Sequence, residues 1–363
     1  MTAGLRLALT ARAPSYRSGD QRAFGPDEDP FTLLVAAWET SFDRFPAGSE
    51  DPALPVDLLG PAPAIAPEGL RAIAPVPVEV HPDPTGAWSD AIERALAGPP
   101  RVVAGTLPGT SPSSPPLGIV LSVLPGADGD PSGEPAGVHA ADGAVVSTIV
   151  AAEGPGPRSE ADLRRLVPPL PPPAGSVDPS VRDRLDGSVR TAVSEGAYIP
   201  WDRYRETLPS RWGLLAERCG RCGRLSFPAR GRCRSCGATS AELHPQRLPR
   251  SGGVVLAATR VHRGGQPTEF DPIAAETGGY GVVLVELAEG VRATFATTDE
   301  PAGRPITIGD RVATVLRRLY PMEGEWRYGR KAVPWPVSRA EPPPGQANPG
   351  RSRSADVAPD RFP

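Results

Sequence analysis

All four cysteines of this 363-residue chain lie within the stretch CGRCGRLSFPARGRCRSCG, residues 219–237. Cys219 and Cys222 form one C-x2-C pair, Cys233 and Cys236 form a second, and ten residues separate the pairs. Each pair can direct two thiolates toward one point, so two pairs at the ends of a short hairpin complete a tetrahedral shell of sulfur ligands. A glycine follows the second cysteine of each pair, where a tight turn favours a residue that tolerates positive φ. The spacing therefore predicts a zinc site.

Protein side chains fill all four positions of the predicted site, so the metal has no open coordination position and its predicted role is structural. Two other arrangements use the same residues: a rubredoxin-type iron site and a pair of disulfides. Close C-x2-C pairs in a chain with no other cysteine favour metal ligands in a reducing compartment. The expected location is therefore the cytoplasm. No apolar run reaches the ~18 residues that a transmembrane helix needs, so no membrane association is expected.

Positive charge gathers around the cysteines, where eight arginines are accompanied by only two glutamates, Glu217 and Glu242. The eight are Arg218, Arg221, Arg224, Arg230, Arg232, Arg234, Arg247 and Arg250. A zinc ion held by four thiolates carries a charge of about −2, which lowers this local excess. A nucleic-acid-binding module is one interpretation of the patch. The net charge of −3, the pI near 5.9 and the scattered aromatic residues of the following segment argue against it.

The first 150 residues alternate helix and strand signals. In PDEDPFTLLVAAWETSF the apolar residues share one helical face, with Asp29 as the N-cap and Pro30 as the first helical residue. A second amphipathic helix is predicted in TGAWSDAIERALAG. Strands are predicted at 76–80, 101–105, 117–124 and 144–150. Together these signals favour a partly parallel α/β layer. The stretches 46–75 and 106–116 are too rich in proline for regular structure to be predicted there.

The second half begins with a proline-rich spacer, VPPLPPPAG at 167–175, and one helix is predicted over 176–196. WDRYRETLPSRWGLLAERC is predicted to be helical, interrupted by Pro209, and leads into the cysteines. After the cysteines the pattern becomes β, with strand-like runs in GGVVLAATRVHR, GYGVVLVEL, VRATFAT and DRVATVLRRLY. Four or five strands without a long helix favour a small barrel, with the OB-fold as the leading candidate.

Composition supports ordered domains joined by flexible segments, since glycine (40) and proline (48) make up about a quarter of the chain. The predicted divisions are an α/β region (1–165), a proline-rich linker and helix (166–198), a helical lead-in and zinc ribbon (199–250), an OB-fold with a C-terminal strand (251–336) and a disordered tail (337–363).

The motif order resembles the acyl-CoA-associated zinc-ribbon and OB-fold family, long classed as a domain of unknown function. The resemblance covers about residues 200–320. The matching positions are the four cysteines, Phe227 and Pro228 between the pairs, VHR at 261–263, and the strands VVLVEL and GVRATF. Ala229 departs from the pattern, because the family usually has a second proline there.

The flanks resemble proteins that fuse this module to a 3-hydroxy-3-methylglutaryl-CoA synthase-like domain. The similar segments on either side are IPWDRYRETLPSRWGLL and YGRKAVP. Near the start, FGPDEDPFTLLVAAWE resembles the early helix of the thiolase superfamily. DAIERALAGPPRVVAG and VHAADGAVVSTIV look like degraded versions of its helix–strand unit and its GDGAAA strand. By this resemblance, the fold class is a degenerate thiolase-like α/β region followed by a zinc ribbon and an all-β OB-fold barrel.

Condensing enzymes of the thiolase superfamily need a nucleophilic cysteine that acts with a histidine. Every cysteine of this chain belongs to the predicted metal site, and no G-x-S-x-G elbow offers a serine instead. The residue inventory therefore excludes acyl transfer through a cysteine nucleophile.

The resemblance implies a non-catalytic accessory or scaffold subunit that binds zinc structurally. It would dock onto a thiolase, synthase or aldolase and line the channel that holds the acyl-CoA ester. Trp212, Phe227, His262 and Arg263 are the predicted contacts with acyl-CoA or with the partner enzyme. Two alternatives belong to other classes: a nucleic-acid-binding zinc-ribbon and OB-fold protein, and a stand-alone acyl-CoA enzyme.

Overall fold

The computed structural model describes residues 5–18, 21–44, 55–59, 62–74, 77–81, 87–97, 101–107, 117–125, 145–151, 160–167, 175–176, 178, 184, 199–262, 270–288, 290–300, 304–322 and 324–335. Within these ranges no helix is long and apolar enough to cross a membrane. Five predictions fall largely or wholly outside the described residues: the irregular stretch at 106–116, the spacer at 167–175, the helix at 176–196, the contact at Arg263 and the disordered tail at 337–363. The predicted domain limits stay predictions.

A mixed six-stranded sheet dominates the first half. The strands are β1 (Leu5–Arg12), β2 (Tyr16–Ser18), β3 (Gln21–Ala23), β4 (Val56–Leu59), β5 (Val78–His81), β6 (Arg101–Leu107), β7 (Leu117–Pro125), β8 (Val145–Ala151) and β9 (Gly175–Ser176). The helices are α1 (Pro30–Arg44), α2 (Ala66–Ile73), α3 (Ala87–Ala97) and α4 (Glu160–Leu166). The sheet order is β5-β4-β6-β7-β1-β8. Because β4 pairs in parallel with β5 and β6 while the other pairs are antiparallel, the predicted partly parallel layer is confirmed. Its likeness to a thiolase stays a prediction.

The start of α1 follows from its sequence. The Asp29 carboxylate accepts the backbone N–H of Thr32 at 2.8 Å, and the Thr32 hydroxyl accepts the backbone N–H of Asp29 at 2.9 Å. This reciprocal pair satisfies two donors at the helix start, as an N-cap should. Phe31 and Trp38 lie on the buried face. The predicted helix and its cap are confirmed.

One prediction for the first half is wrong. The segment 46–75 contains β4 and α2, although its proline content argued against regular structure. Two of its prolines lie where regular structure tolerates them: Pro55 precedes β4, and Pro67 lies in the first turn of α2, where no intrahelical N–H bond is needed. The opening segment, for which no element was predicted, forms β1 between β7 and β8, with Leu9 and Ala11 buried.

The second half begins with helices α5 (Trp201–Glu206) and α6 (Leu208–Arg211). A three-stranded sheet follows, formed by β10 (Leu215–Cys219), β11 (Leu225–Ser226) and β12 (Leu243–Arg247) in the order β11-β10-β12. The helical prediction is therefore wrong at its C-terminal end, where LLAERC includes β10. Leu214 has a φ of 50°, which breaks the helical path, and pairing with β12 then fixes the strand.

The last five strands form a closed barrel. They are β13 (Ser251–Val261), β14 (Tyr280–Ala288), β15 (Val291–Thr297), β16 (Arg311–Met322) and β17 (Glu325–Pro334), and the short helix α7 (Asp271–Thr277) lies between β13 and β14. The order around the barrel is β13-β14-β15-β17-β16, with β15 and β17 parallel. This five-stranded Greek-key arrangement is that of an OB-fold, so the predicted barrel is confirmed.

One hydrophobic cluster joins the two halves of the chain. It includes Phe31 of α1, Tyr204 of α5, Trp212 and Tyr328 of β17. The ring centroids of Phe31, Trp212 and Tyr328 lie 5.4–5.9 Å apart. The Trp212 indole donates to the Tyr204 hydroxyl at 3.1 Å and to the Tyr328 carbonyl at 3.2 Å, which satisfies its only polar atom.

Buried ion pairs cross the same boundary. We call them the interface network; they join Asp27, Glu28 and Glu39 of the first half to Arg317, Arg330 and Lys331 of the barrel. Lys331 Nζ lies 2.8 Å from Asp27 Oδ2, and Arg317 Nη2 lies 3.1 Å from Glu28 Oε1. Arg330 Nη1 donates to Glu39 Oε2 at 2.9 Å. Each charge is paired, as burial of an ion requires.

The environment shifts the pKa values of the three acids in different directions. Burial raises the pKa of Glu28 to about 7. Arg317 acts in the opposite direction and lowers this pKa, but the nearby Asp299 and Asp27 raise it further. Burial also acts on Glu39, but Arg330 and Arg250 outweigh it and lower the pKa of Glu39 below its ordinary value. Lys331 and Arg317 likewise overcome burial and lower the pKa of Asp27.

Candidate metal centre

Each C-x2-C pair forms a tight turn closed by its own backbone. The N–H of Gly223 donates to the Cys219 carbonyl at 2.8 Å, and that of Gly237 donates to the Cys233 carbonyl at 3.0 Å. Gly223 and Gly237 have φ values of 71° and 75°, in the left-handed region that favours glycine. The predicted role of both glycines in the turns is therefore confirmed.

The four sulfurs converge on one point. Cys219 Sγ lies 3.6 Å from Cys236 Sγ, Cys222 Sγ lies 3.6 Å from Cys233 Sγ, and all four lie within 4.8 Å of one another. A tetrahedral zinc with bonds of about 2.3 Å needs sulfurs about 3.8 Å apart, so the donor set and its spacing fit the ion. The cysteines are free thiols, which removes the disulfide alternative. This is a structural zinc site.

The local backbone prepares one sulfur for the metal. The backbone N–H groups of Cys236 and Ser235 are directed at the Cys233 sulfur and lower the pKa of that thiol to about 6. The pKa of Cys236 is instead raised to about 12, because burial and the three neighbouring sulfurs outweigh the favourable N–H of Ala238. Binding of a cation offsets the effect of the neighbouring sulfurs on Cys236, since metal ligation deprotonates a coordinating thiol.

Two glutamates hold the loops around the sulfurs. Glu217 accepts the backbone N–H groups of Arg230 and Gly231 at 2.8 and 3.0 Å. Glu242 accepts two hydrogen bonds of 2.9 Å from the guanidinium of Arg221, a bidentate pair. Both acids of the predicted basic patch therefore already have partners.

Three of the four predicted contact residues, Trp212, Phe227 and His262, lie among the described residues. Trp212 is fully buried in the cluster between the two halves. His262 is exposed at the end of β13, with Nδ1 3.2 Å from the Gly278 carbonyl. Phe227 is half-buried and lines a pocket. Their contacts with acyl-CoA or a partner stay predictions.

The pocket lies between the zinc ribbon and the barrel and has a volume of about 340 Å³. Its apolar lining includes Phe227, Phe270, Phe295 and Leu319. Arg211 is a polar residue of the lining, and its Nε donates to the Thr207 hydroxyl at 2.7 Å. The size and the mix of an apolar wall with a few polar groups are typical of small-molecule sites. Apart from Phe227, sequence reasoning missed this lining, because it combines residues far apart in the chain.

Comparison with known proteins adds three findings. The family model described as "ChsH2, rubredoxin-like zinc ribbon domain" matches residues 213–242. A DUF35 domain-containing scaffold protein of Methanothermobacter thermautotrophicus is 33% identical over 134 residues, which are 35% of this chain and 90% of the relative. A protein of the same description from Methanocaldococcus jannaschii is 31% identical over 130 residues, which are 35% of this chain and 85% of that relative.

Among solved structures, a chain of the "Ltp2-ChsH2(DUF35) aldolase" matches with a TM-score of 0.27 and 24% identity. The match covers 36% of this chain and 90% of that chain.

Proposed function

Because the chain belongs to the family of DUF35 domain-containing scaffold proteins, we propose that it is a non-catalytic accessory subunit that supports an acyl-CoA enzyme. The partner in this proposal is a thiolase, a synthase or an aldolase, in the cytoplasm. The first half of the chain is proposed to be a degenerate thiolase-like region that stays attached to the scaffold module.

One observation carries the non-catalytic assignment: all four cysteines of the sequence converge on a single metal site. Thioester chemistry through cysteine needs a free thiolate, and a structural zinc occupies every one that this chain has. The zinc gives the ribbon a rigid shape whose folding is coupled to the metal. A rigid platform of this kind suits a protein that positions other proteins.

Purification of the tagged, zinc-loaded full chain from its native host tests the scaffold role. We expect an acyl-CoA thiolase, synthase or aldolase to co-purify, and the complex to turn over acyl-CoA thioesters while the isolated chain does not. Turnover by the isolated chain would assign it to the stand-alone enzymes. Recovery of nucleic acid without an acyl-CoA enzyme would favour the nucleic-acid-binding alternative.

We further propose that the pocket at Phe227 contacts the CoA ester held by the partner. Its aromatic wall suits an acyl chain, and a guanidinium such as that of Arg211 suits the anionic phosphates of CoA. In titration calorimetry with octanoyl-CoA, Phe227→Ala should weaken binding about tenfold, because it removes an aromatic contact. His244→Ala, an exposed change on the ribbon, is the control. Equal affinities for all three proteins would contradict a contact at this pocket.

A further inference from the structure

We propose that the exposed end of the zinc ribbon is a docking surface for an acidic protein face. We call this surface the ribbon tip. It consists of four exposed arginines, Arg224, Arg230, Arg232 and Arg234. The inference deepens the proposed scaffold role by naming the surface and the chemistry of the partner, and it rests on that role for the kind of partner.

The four arginines lie close to the metal site along the chain. Arg232 and Arg234 flank Cys233, and each of the four lies within three residues of a ligating cysteine. Because the four cysteine sulfurs lie within 4.8 Å of one another, these arginines gather around one metal site. The ribbon tip is therefore a region of like charge.

The structure divides the eight arginines of the predicted basic patch into two groups. Arg221 pairs with Glu242, and Arg218 donates to Gln246 at 2.7 Å and to the Gly223 carbonyl at 2.9 Å. Arg247 and Arg250 contact the first half of the chain through the Ala72 carbonyl and Glu39. Four of the eight arginines thus already have partners within the chain.

The remaining four guanidinium groups make no ion pair and no hydrogen bond within the described part of the chain. Their mutual repulsion is only partly offset by the zinc–thiolate centre, whose charge is about −2. Carboxylates from outside would relieve this repulsion, and the planar guanidinium fork matches a carboxylate in a bidentate geometry.

The surroundings favour an acidic protein over a nucleic acid. Within 213–242 the sole aromatic residue is Phe227, which is half-buried and lines the pocket, so the ribbon tip offers no exposed ring for base stacking. A protein face needs to supply only a few carboxylates to pair with four guanidinium groups, and each carboxylate can do so in a bidentate geometry.

Another part of the ribbon and barrel is already covered. Its aromatic and cationic groups pack against α1 and α2 and against the acids of the interface network. A partner enzyme cannot use that part while the first half is in place. The ribbon tip remains accessible and carries unneutralised charge.

Binding of poly-L-glutamate to the zinc-loaded full chain tests the inference, with fluorescence anisotropy as the readout. The test variant is R224Q/R230Q/R232Q/R234Q. The matched control, R203Q/R292Q/R304Q/R311Q, removes the same charge from exposed positions outside the ribbon. At low ionic strength we expect the test variant to bind about tenfold more weakly or worse, the control to bind like the wild type, and the difference to shrink as salt rises. Zinc content should stay unchanged in both variants.

Equal weakening in the test and control variants would overturn the inference, because it would show a response to net charge alone. Tighter binding of a DNA duplex or single strand of matched charge would assign the ribbon tip to nucleic acid instead. Co-purification separates this inference from the scaffold role. If an acyl-CoA enzyme follows the wild type and the test variant equally, the docking surface is wrong and the scaffold role stands. If none follows the wild type while poly-L-glutamate still discriminates, the scaffold role fails alone.

Discussion

The Cys233 sulfur is buried, accepts two backbone N–H groups and lies 3.6 Å from the Cys222 sulfur. Cys233→Ser should abolish stoichiometric zinc binding, because a structural site has no spare ligand and its binding energy is also folding energy. Elemental analysis of the purified protein measures the zinc per chain. Ser235→Ala, an exposed change two residues away, should retain full zinc. A full complement of zinc in Cys233→Ser would contradict the four-sulfur site.

The stability of the interface network depends on the carboxylate of Glu39. Glu39→Gln keeps the shape but leaves Arg330 and Arg250 without their carboxylate, and removal of one partner from a buried pair costs about 3 kcal/mol or more. Chemical denaturation should show this loss in the free energy of unfolding. Glu206→Gln breaks an exposed pair with Arg203 and should change that free energy little. Equal changes in the free energy of unfolding for the two substitutions would mean that the buried pair contributes no more to stability than the exposed one.

At the scale of elements, α2 approaches Trp212 so closely that only glycine fits at position 69. A methyl group there would overlap the indole ring. Gly69→Ala should therefore destabilise the protein, although alanine in an unhindered helix would add up to about 1 kcal/mol of stability. Thermal unfolding of Gly69→Ala, of Trp212→Leu and of the double variant separates the two effects. The loss of stability in the double variant should be smaller than the sum of the two single losses, because the overlap disappears with the indole. A stabilised Gly69→Ala variant would contradict this packing.

Elements with strong local signals were predictable. The α1 cap needed only Asp29 and Thr32, and the zinc turns needed only the spacing of cysteines and glycines. The strand β10 was missed because its identity comes from pairing with β12, a tertiary effect that overrides helix propensity. The strand β4 was missed because prolines flank it rather than interrupt it. The pocket at Phe227 could not be predicted, since five separate segments supply its aromatic and aliphatic wall.

For the whole molecule, the acids of the interface network predict two opposite effects of pH on the free energy of unfolding. Glu28 lowers it as pH rises, whereas Asp27 and Glu39 lower it as pH falls. The folded-state pKa of Glu28, about 7, is above its unfolded value, so this residue makes unfolding easier as pH rises from about 4.5 to 7. The folded-state pKa values of Asp27 and Glu39 are lowered, so their contribution is present above pH ~4 and is lost as the solution is acidified further.

Denaturant midpoints measured between pH 3 and 8 check both slopes. Glu28→Gln should remove the decline in stability between about pH 4.5 and 7 while leaving the acid limb intact. The difference between the profiles of the two proteins is the relevant quantity, because it isolates the contribution of Glu28. Identical profiles for the wild type and Glu28→Gln would show that Glu28 does not titrate there.

Lys331 is the single lysine of the sequence, and it lies 6% exposed against Asp27 at the junction of the two halves. Amine-directed reagents, such as succinimidyl esters, therefore find no side-chain target on the native surface. Acylation of Lys331 would therefore show that the two halves had separated. Mass spectrometry of the acylated native chain would detect this event without an engineered label.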